Sequence, residues 1–180
     1  VVIVAPPPPP PPSPPPPPPD PDPFAGGAVI VRPGDPGFSE GWYFPEGDPE
    51  HHISTFNDVY GGQVKYKNGT TADAYYCTYH AQLPGPGRYA IEAFIPDDHN
   101  SCQAVGYRIL TYQPGGQPDE QLIIVSQSAL PNRWAPLGQF DLDPNVADHN
   151  AGRVVITDVR VEDDAPLGEV SFGAIRWRRV

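Results

Sequence analysis

Fifteen of the first 23 residues are proline, and a packed core cannot begin there. Pro6 to Pro12 and Pro14 to Pro19 are runs separated by Ser13, and Pro21 and Pro23 follow among Asp20 and Asp22. Proline fixes φ and lacks the backbone N–H, so such a run belongs neither inside a helix nor in a central strand. Polyproline II remains, at ~3.1 Å per residue, which makes Pro6 to Pro23 a stiff rod of roughly 56 Å. Ahead of it stands Val1 to Ala5 (VVIVA), uncharged and strongly β-prone. Behind it, residues 24–180 hold only 13 of the 28 prolines. That is an ordinary length for one domain, roughly 40 Å across. Three segments follow: an N-terminal strand over 1–5, a linker over 6–23 and a globular domain over 24–180.

Charge and hydropathy remove several function classes. No apolar run reaches the roughly 18 residues of a membrane helix. Twenty-two acidic against 11 basic residues give a net charge of −11, which opposes nucleic-acid binding through clustered cations. The one basic cluster is Arg176, Arg178 and Arg179, spaced as one strand face. The chain has no methionine and starts at Val1, as expected of a processed, exported protein at the cell surface or beyond it. In that setting Cys77 and Cys102, which flank a hairpin, are expected to form a disulfide. Closing such a loop contributes roughly 3 kcal/mol in the chain-entropy view.

The domain reads as β throughout. Strands are expected over Ala28–Arg32, Gln63–Lys67, Ala72–His80, Arg88–Ile95, Gln103–Tyr112, Gln121–Gln127, Ala135–Leu142, Arg153–Glu162 and Glu169–Arg178. Tyr89, Ile91, Ala93 and Ile95 alternate with Ala90, Glu92 and Phe94, the period of a strand. Gly-Pro punctuation such as Pro84-Gly85-Pro86-Gly87 separates strands. No helical period is sustained over ten residues. The expected class is all-β, a two-sheet, jelly-roll-like β-sandwich behind a polyproline II segment and a short N-terminal strand.

Five motifs carry a resemblance. They are Val31 to Trp42 (VRPGDPGFSEGW), Leu83 to Pro96 (LPGPGRYAIEAFIP), Ala104 to Ile109 (AVGYRI), Trp134 to Phe140 (WAPLGQF), and Ile156 to Val159 (ITDV) followed by Phe172 to Trp177 (FGAIRW). In order and spacing they resemble the golvesin C-terminal-like (Xly carbohydrate-binding-like) domain, over about residues 30 to 178. The resemblance implies a β-sandwich appended to secreted bacterial proteins, suspected of binding carbohydrate and without established catalytic residues. Gly173 stands where the closing motif usually has Asp, and the Cys77–Cys102 pair lies outside the pattern.

Single motifs point weakly to chemistry. Gly37-Phe38-Ser39-Glu40-Gly41 matches G-x-S-x-G, but Pro33 and Pro36 before it and Pro45 and Gly47 after it deny the strand-to-helix elbow. It is read as part of an opening loop. Asp141, Asp143, Asn145 and Asp148 offer oxygen ligands, but Val146 and Gly152 occupy the positions where an EF-hand needs Gly and Glu. A solvated acidic loop is preferred to a calcium site, and no cofactor is expected. His51 and His52 are adjacent and would face opposite sides of a strand, while His80, His99 and His149 are scattered, so zinc is not expected either. Glu40, Glu46 and Glu50 show no catalytic pairing, and no enzyme is expected. Trp42 and Tyr43, read as loop aromatics, are candidates for stacking on sugar rings; core packing is the alternative. Asn68-Gly69-Thr70 is an N-glycosylation sequon, and Ser13 within an extensin-like proline run is a second candidate glycosylation site.

Two functions compete. A free VVIVA strand invites addition to a neighbouring sandwich, and repeating that contact head to tail builds an extracellular filament with Val1, Val2, Ile3 and Val4 as the assembly strand. The partner is then a second copy of the chain. The alternative is a carbohydrate-binding module tethered by the proline linker to a cell wall or secreted enzyme, its partner a glycan. The filament is the preferred reading of the sequence.

Overall fold

The computed structural model describes residues 27–43, 53–57, 62–70, 75–112, 118–145, 152–160 and 168–180. The strand expected over Val1 to Val4, the proline segment with Ser13, and Asp148 lie outside these residues.

Twelve strands run in order: β1 (Val29–Val31), β2 (Phe38–Trp42), β3 (Ser54–Asn57), β4 (Gln63–Asn68), β5 (Tyr75–Tyr79), β6 (Gly87–Ile95), β7 (Val105–Tyr112), β8 (Pro118–Val125), β9 (Arg133–Leu142), β10 (Arg153–Arg160), β11 (Glu169–Phe172) and β12 (Ile175–Arg179). They form three antiparallel sheets: β1-β12-β6-β9, β2-β5-β10-β7-β8 and β11-β4-β3. The five-stranded sheet is one layer of a β-sandwich. The other two sheets share the chain through β11 and β12 and together face it. The expected sandwich is therefore correct, with its second layer divided in two.

The division occurs at Gly173. One strand is expected from Glu169 to Arg178, but β11 pairs with β4 and β12 pairs with β6. At the crossing Phe94 N–H bonds to Ala174 O at 2.8 Å, and a Cβ on Gly173 would lie 2.5 Å from Phe94 O. No side chain fits there. An aspartate, usual at this point of the resembled motif, would collide with the β6 backbone.

Alternation sets the core. Tyr75, Cys77 and Tyr79 of β5, Ile91, Ala93 and Ile95 of β6, Tyr107 and Ile109 of β7, and Ile175 and Trp177 of β12 meet between the layers, each almost fully buried. On the back of β6, Phe94 lies against Trp134, whose ring stacks 4.2 Å from the Arg176 guanidinium. Arg176 in turn bonds to Glu92 at 2.7 Å, and Arg178 lies 3.8 Å from the same carboxylate. The C-terminal arginines thus hold their own sheet together.

Two strands escape the sequence reading. β2 was expected to be loop because prolines bracket it, yet Phe38 to Trp42 pairs with Tyr79 to Tyr75. β3 pairs with β4 at the sandwich margin.

Candidate functional site

The pairing of β2 with β5 decides which aromatics reach solvent. Phe38, Glu40 and Trp42 sit opposite Tyr79, Cys77 and Tyr75, on the face that looks into the sandwich. Ser39 and Gly41, opposite Thr78 and Tyr76, therefore lie on the open face. The Tyr76 ring lies over Gly41, where a Cβ would sit 2.5 Å from the tyrosine oxygen. Tyr43 closes against it with ring centroids 4.9 Å apart at 50°, and remains 49% exposed. Two residues further along β5, the row Ser39, Thr78, Val155, Arg108 and Leu122 crosses the sheet, each opposite the next. The result is a tilted aromatic step beside two hydroxyls on an exposed sheet.

Trp42 points the other way. Its ring contacts Tyr75 at 4.8 Å, with the Lys67 ammonium 5.9 Å from its centroid. Beneath it Lys67 and Asp158, 5% and 0% exposed, form an ion pair of 3.0 Å, and Tyr75 N–H donates to the other Asp158 oxygen at 3.0 Å. Next to them Lys65 reaches Glu40 at 2.6 Å, and the Tyr75 hydroxyl donates to Glu40. These contacts fasten β4 to the five-stranded sheet. Burial, with Cys77 and Glu40 close by, pushes the Tyr75 phenol far above its usual range. Burial likewise raises Cys77 and Tyr79. These groups stay protonated, and the cluster serves packing.

The expected disulfide is absent: Cys77 and Cys102 are free thiols, both fully buried. The expectation placed them in neighbouring strands, but β10 lies between. Cys77 sits opposite Ile156 of β10, and Ile156 sits opposite Tyr107 of β7. Two strand spacings come to ~9.6 Å, and Cys102 lies further along, ahead of β7. A disulfide needs Cα atoms within about 7 Å.

Other sequence candidates fall at scattered places. Asn68 is exposed at the end of β4, with its sequon's Gly69 and Thr70 hydrogen-bonded to Gly168 and Asp158. Asp141 lies 3.6 Å from Arg88, and Asp143 accepts from both nitrogens of Asn145 at 2.9 Å. Among the described residues no three His, Cys, Asp or Glu side chains are placed to hold a metal. Ser39 of the G-x-S-x-G match is on a strand, not an elbow. His99 stacks on Tyr66 at 3.5 Å and bonds to Glu169 at 3.1 Å, with Phe56 5.1 Å away. Those rings pack on one another and anchor the loop after β6. A depression of about 390 Å³ is lined by His80 to Gly85 with Pro144 and Asn145, and no Trp, Tyr or Phe lines it.

Tyr76 was missed in the sequence. The signal was present in the alternation of Tyr75-Tyr76-Cys77-Thr78-Tyr79, but it needed β2 as a partner to become a site.

Among known proteins, no family profile and no curated sequence matches the chain. Among solved structures, a Paenibacillus xanthan lyase aligns at 18% identity and a TM-score of 0.62 over 85% of this chain. The chain spans 13% of that protein, so the shared unit is one domain of it. The adhesin domain of Lys-gingipain from Porphyromonas gingivalis aligns at 11% identity and a TM-score of 0.44, over 86% of this chain and 99% of that one. A structure of carbohydrate-binding modules from the β-sandwich superfamily aligns at 10% identity and 0.31, over 86% and 56%. The first likeness establishes the β-sandwich fold. The golvesin resemblance finds no matching family profile, and what stands of it is that fold.

Proposed function

We propose that this chain is a non-catalytic, extracellular glycan-binding β-sandwich, displayed on its proline-rich segment, that takes polysaccharide on the open face of the five-stranded sheet. One observation carries the reading: Tyr43, half exposed, is braced by Tyr76 over the Gly41 backbone beside the Ser39 and Thr78 hydroxyls. A sugar ring presents C–H groups on one face and hydroxyls at its edge. A fixed aromatic step with neighbouring hydroxyls complements both, and two stacked rings lose little conformational freedom on binding. A fold shared with one domain of a xanthan lyase, an enzyme named for a polysaccharide, agrees with this. The carbohydrate reading is thereby preferred over the filament, which draws no support from the comparisons.

Affinity electrophoresis against neutral and acidic polysaccharides tests it. Tyr43→Ala and Tyr76→Ala are expected to weaken binding by about 30-fold, the loss of one central aromatic contact. Trp42→Ala is expected to lower the melting temperature instead. If Tyr43→Ala binds as tightly as the parent, or the parent retards on no polysaccharide, the proposal is wrong.

A further inference from the structure

Lysine and aspartate are almost never fully buried, yet Lys67 and Asp158 are buried together. Strand alternation brings them there. Lys67 sits opposite Val170 of β11, and Asp158 follows Thr157, which sits opposite Tyr76 of β5. One side chain enters the interior from the three-stranded sheet, the other from the central strand of the five-stranded sheet. Nζ and Oδ2 meet at 3.0 Å, with the two side chains 5% and 0% exposed. The Trp42 ring lies 5.9 Å from the ammonium, and Tyr75 packs edge-on against buried Phe172 alongside. The pair is dry.

Two neighbouring kinds of ion pair show what sets this one apart. Lys65–Glu40 has the same chemistry, but Glu40 is 38% exposed and keeps its water. Arg176–Glu92 is nearly as buried, but a guanidinium cannot be deprotonated and so offers no nucleophilic nitrogen. Of the three, Lys67–Asp158 alone combines an amine, a carboxyl group and the exclusion of water. Each of its charges has given up hydration that the partner replaces only in part. An amide between the same atoms carries no charge.

We propose that Lys67 and Asp158 condense after folding into an intramolecular amide, an isopeptide bond between β4 and β10, with release of one water. The ammonium passes a proton to Oδ2, which leaves a neutral amine facing a carboxylic acid. The Nζ lone pair attacks Cγ, and the Nζ–Cγ bond forms. The Cγ–Oδ2 bond then breaks, and Oδ2 departs as water with that proton and a second one from Nζ. The third proton stays on the amide nitrogen. No oxidant, reductant or other reactant enters the balance.

The fold promotes this step in three ways. Contact at 3.0 Å inside a packed interior replaces a bimolecular encounter with an intramolecular one of high effective concentration. Tyr75 N–H already donates to Asp158 Oδ1 at 3.0 Å, and negative charge develops on that oxygen as Nζ adds to Cγ. The backbone around the site is fixed, because Thr70 N–H bonds to Asp158 O at 2.9 Å and Gly69 N–H to Gly168 O at 2.8 Å. The driving force comes from burial: condensation removes two charges from a dry site and returns a water to solvent. The bond lies on the inner side of the five-stranded sheet, whereas Tyr43 and Tyr76 lie on its open face. The inference is therefore independent of glycan binding.

Intact-mass spectrometry of the full chain, made in a host that adds no glycans and denatured with reductant, tests the assignment. The parent is expected ~18 Da below its sequence mass, the loss of one water, while Lys67→Arg and Asp158→Ala match theirs. A tryptic digest locates the link. Cleavage after Lys67 should be lost, and a branched peptide should join residues 66–88 to residues 154–160, with fragmentation placing the bond at Lys67 and Asp158. Circular dichroism checks the fold of each variant, and the two measurements on the parent stand without any variant. A parent at its full sequence mass, a water loss that persists in Lys67→Arg, or separate linear peptides 68–88 and 154–160 would overturn the proposal.

Discussion

Replacing Gln127 by leucine removes a side chain that acts as one residue of an absent strand. Gln127 is fully buried, its Nε2 donating to Ser171 O at 2.8 Å and to the Tyr107 hydroxyl at 2.9 Å. Its Oε1 accepts from Ser171 N–H at 2.9 Å and from the Ser171 hydroxyl at 3.2 Å. Leucine fills a comparable volume but satisfies none of these groups. Each buried polar group left without a partner costs ~1–3 kcal/mol. Stranding the two Ser171 backbone groups therefore costs ~4 kcal/mol, and the added apolar burial offsets ~1 of this, for a net loss near ~3 kcal/mol. With a urea dependence of ~2 kcal/mol per molar, the unfolding midpoint should fall by ~1.5 M. Tryptophan fluorescence follows it, because Trp177 is buried in the core. Ser128→Ala, at an exposed neighbour, serves as control and should change stability by less than ~0.5 kcal/mol. A loss below ~1 kcal/mol for Gln127→Leu would show that the amide does not stand in for a strand at the β11 margin.

Further outcomes follow from the same interior. Lys67→Met leaves Asp158 charged and fully buried, and should cost ~3–5 kcal/mol in denaturant titrations, while Lys67→Met/Asp158→Asn should recover part of that loss. Thiol labelling should detect no reactive cysteine in the native protein and both Cys77 and Cys102 after denaturation without reductant; an unreactive denatured protein would restore the disulfide. Burial raises the acid groups of Tyr75, Cys77, Tyr79 and Tyr107 in the folded state. Above their unfolded values the unfolded chain releases protons that the folded chain keeps, so stability is complete below about pH 8.5 and falls as pH rises through about 10. The slope approaches ~1.4 kcal/mol per pH unit for each group, readable from melting temperatures in alkaline buffers, and a flat profile to pH 11 or so would contradict the burial of these groups.

The β class and most strand positions were legible because they depend on local chemistry. Period-2 alternation in Tyr89 to Ile95 and Gly-Pro punctuation act over a few residues, and the β6 face they define is the core face. What a strand does once formed depends on its neighbours. β2 reads as loop because Pro33, Pro36 and Pro45 surround it, yet five cross-strand partners on β5 outweigh that local preference. The same pairing turns Trp42 inward and Tyr43 outward, a distinction that a one-residue shift in register would reverse. Cys77 and Cys102 flank a hairpin in sequence but are separated in space because β10, from much later in the chain, enters between β5 and β7. Gly173 looks like a departure from a motif until Phe94 O is found where its side chain would be. Sequence alone determined the β class, most of the extended segments and which residues favour burial. Only the tertiary structure decided which tyrosine reaches water and that the two thiols lie apart, because those depend on pairings between residues far apart in the chain.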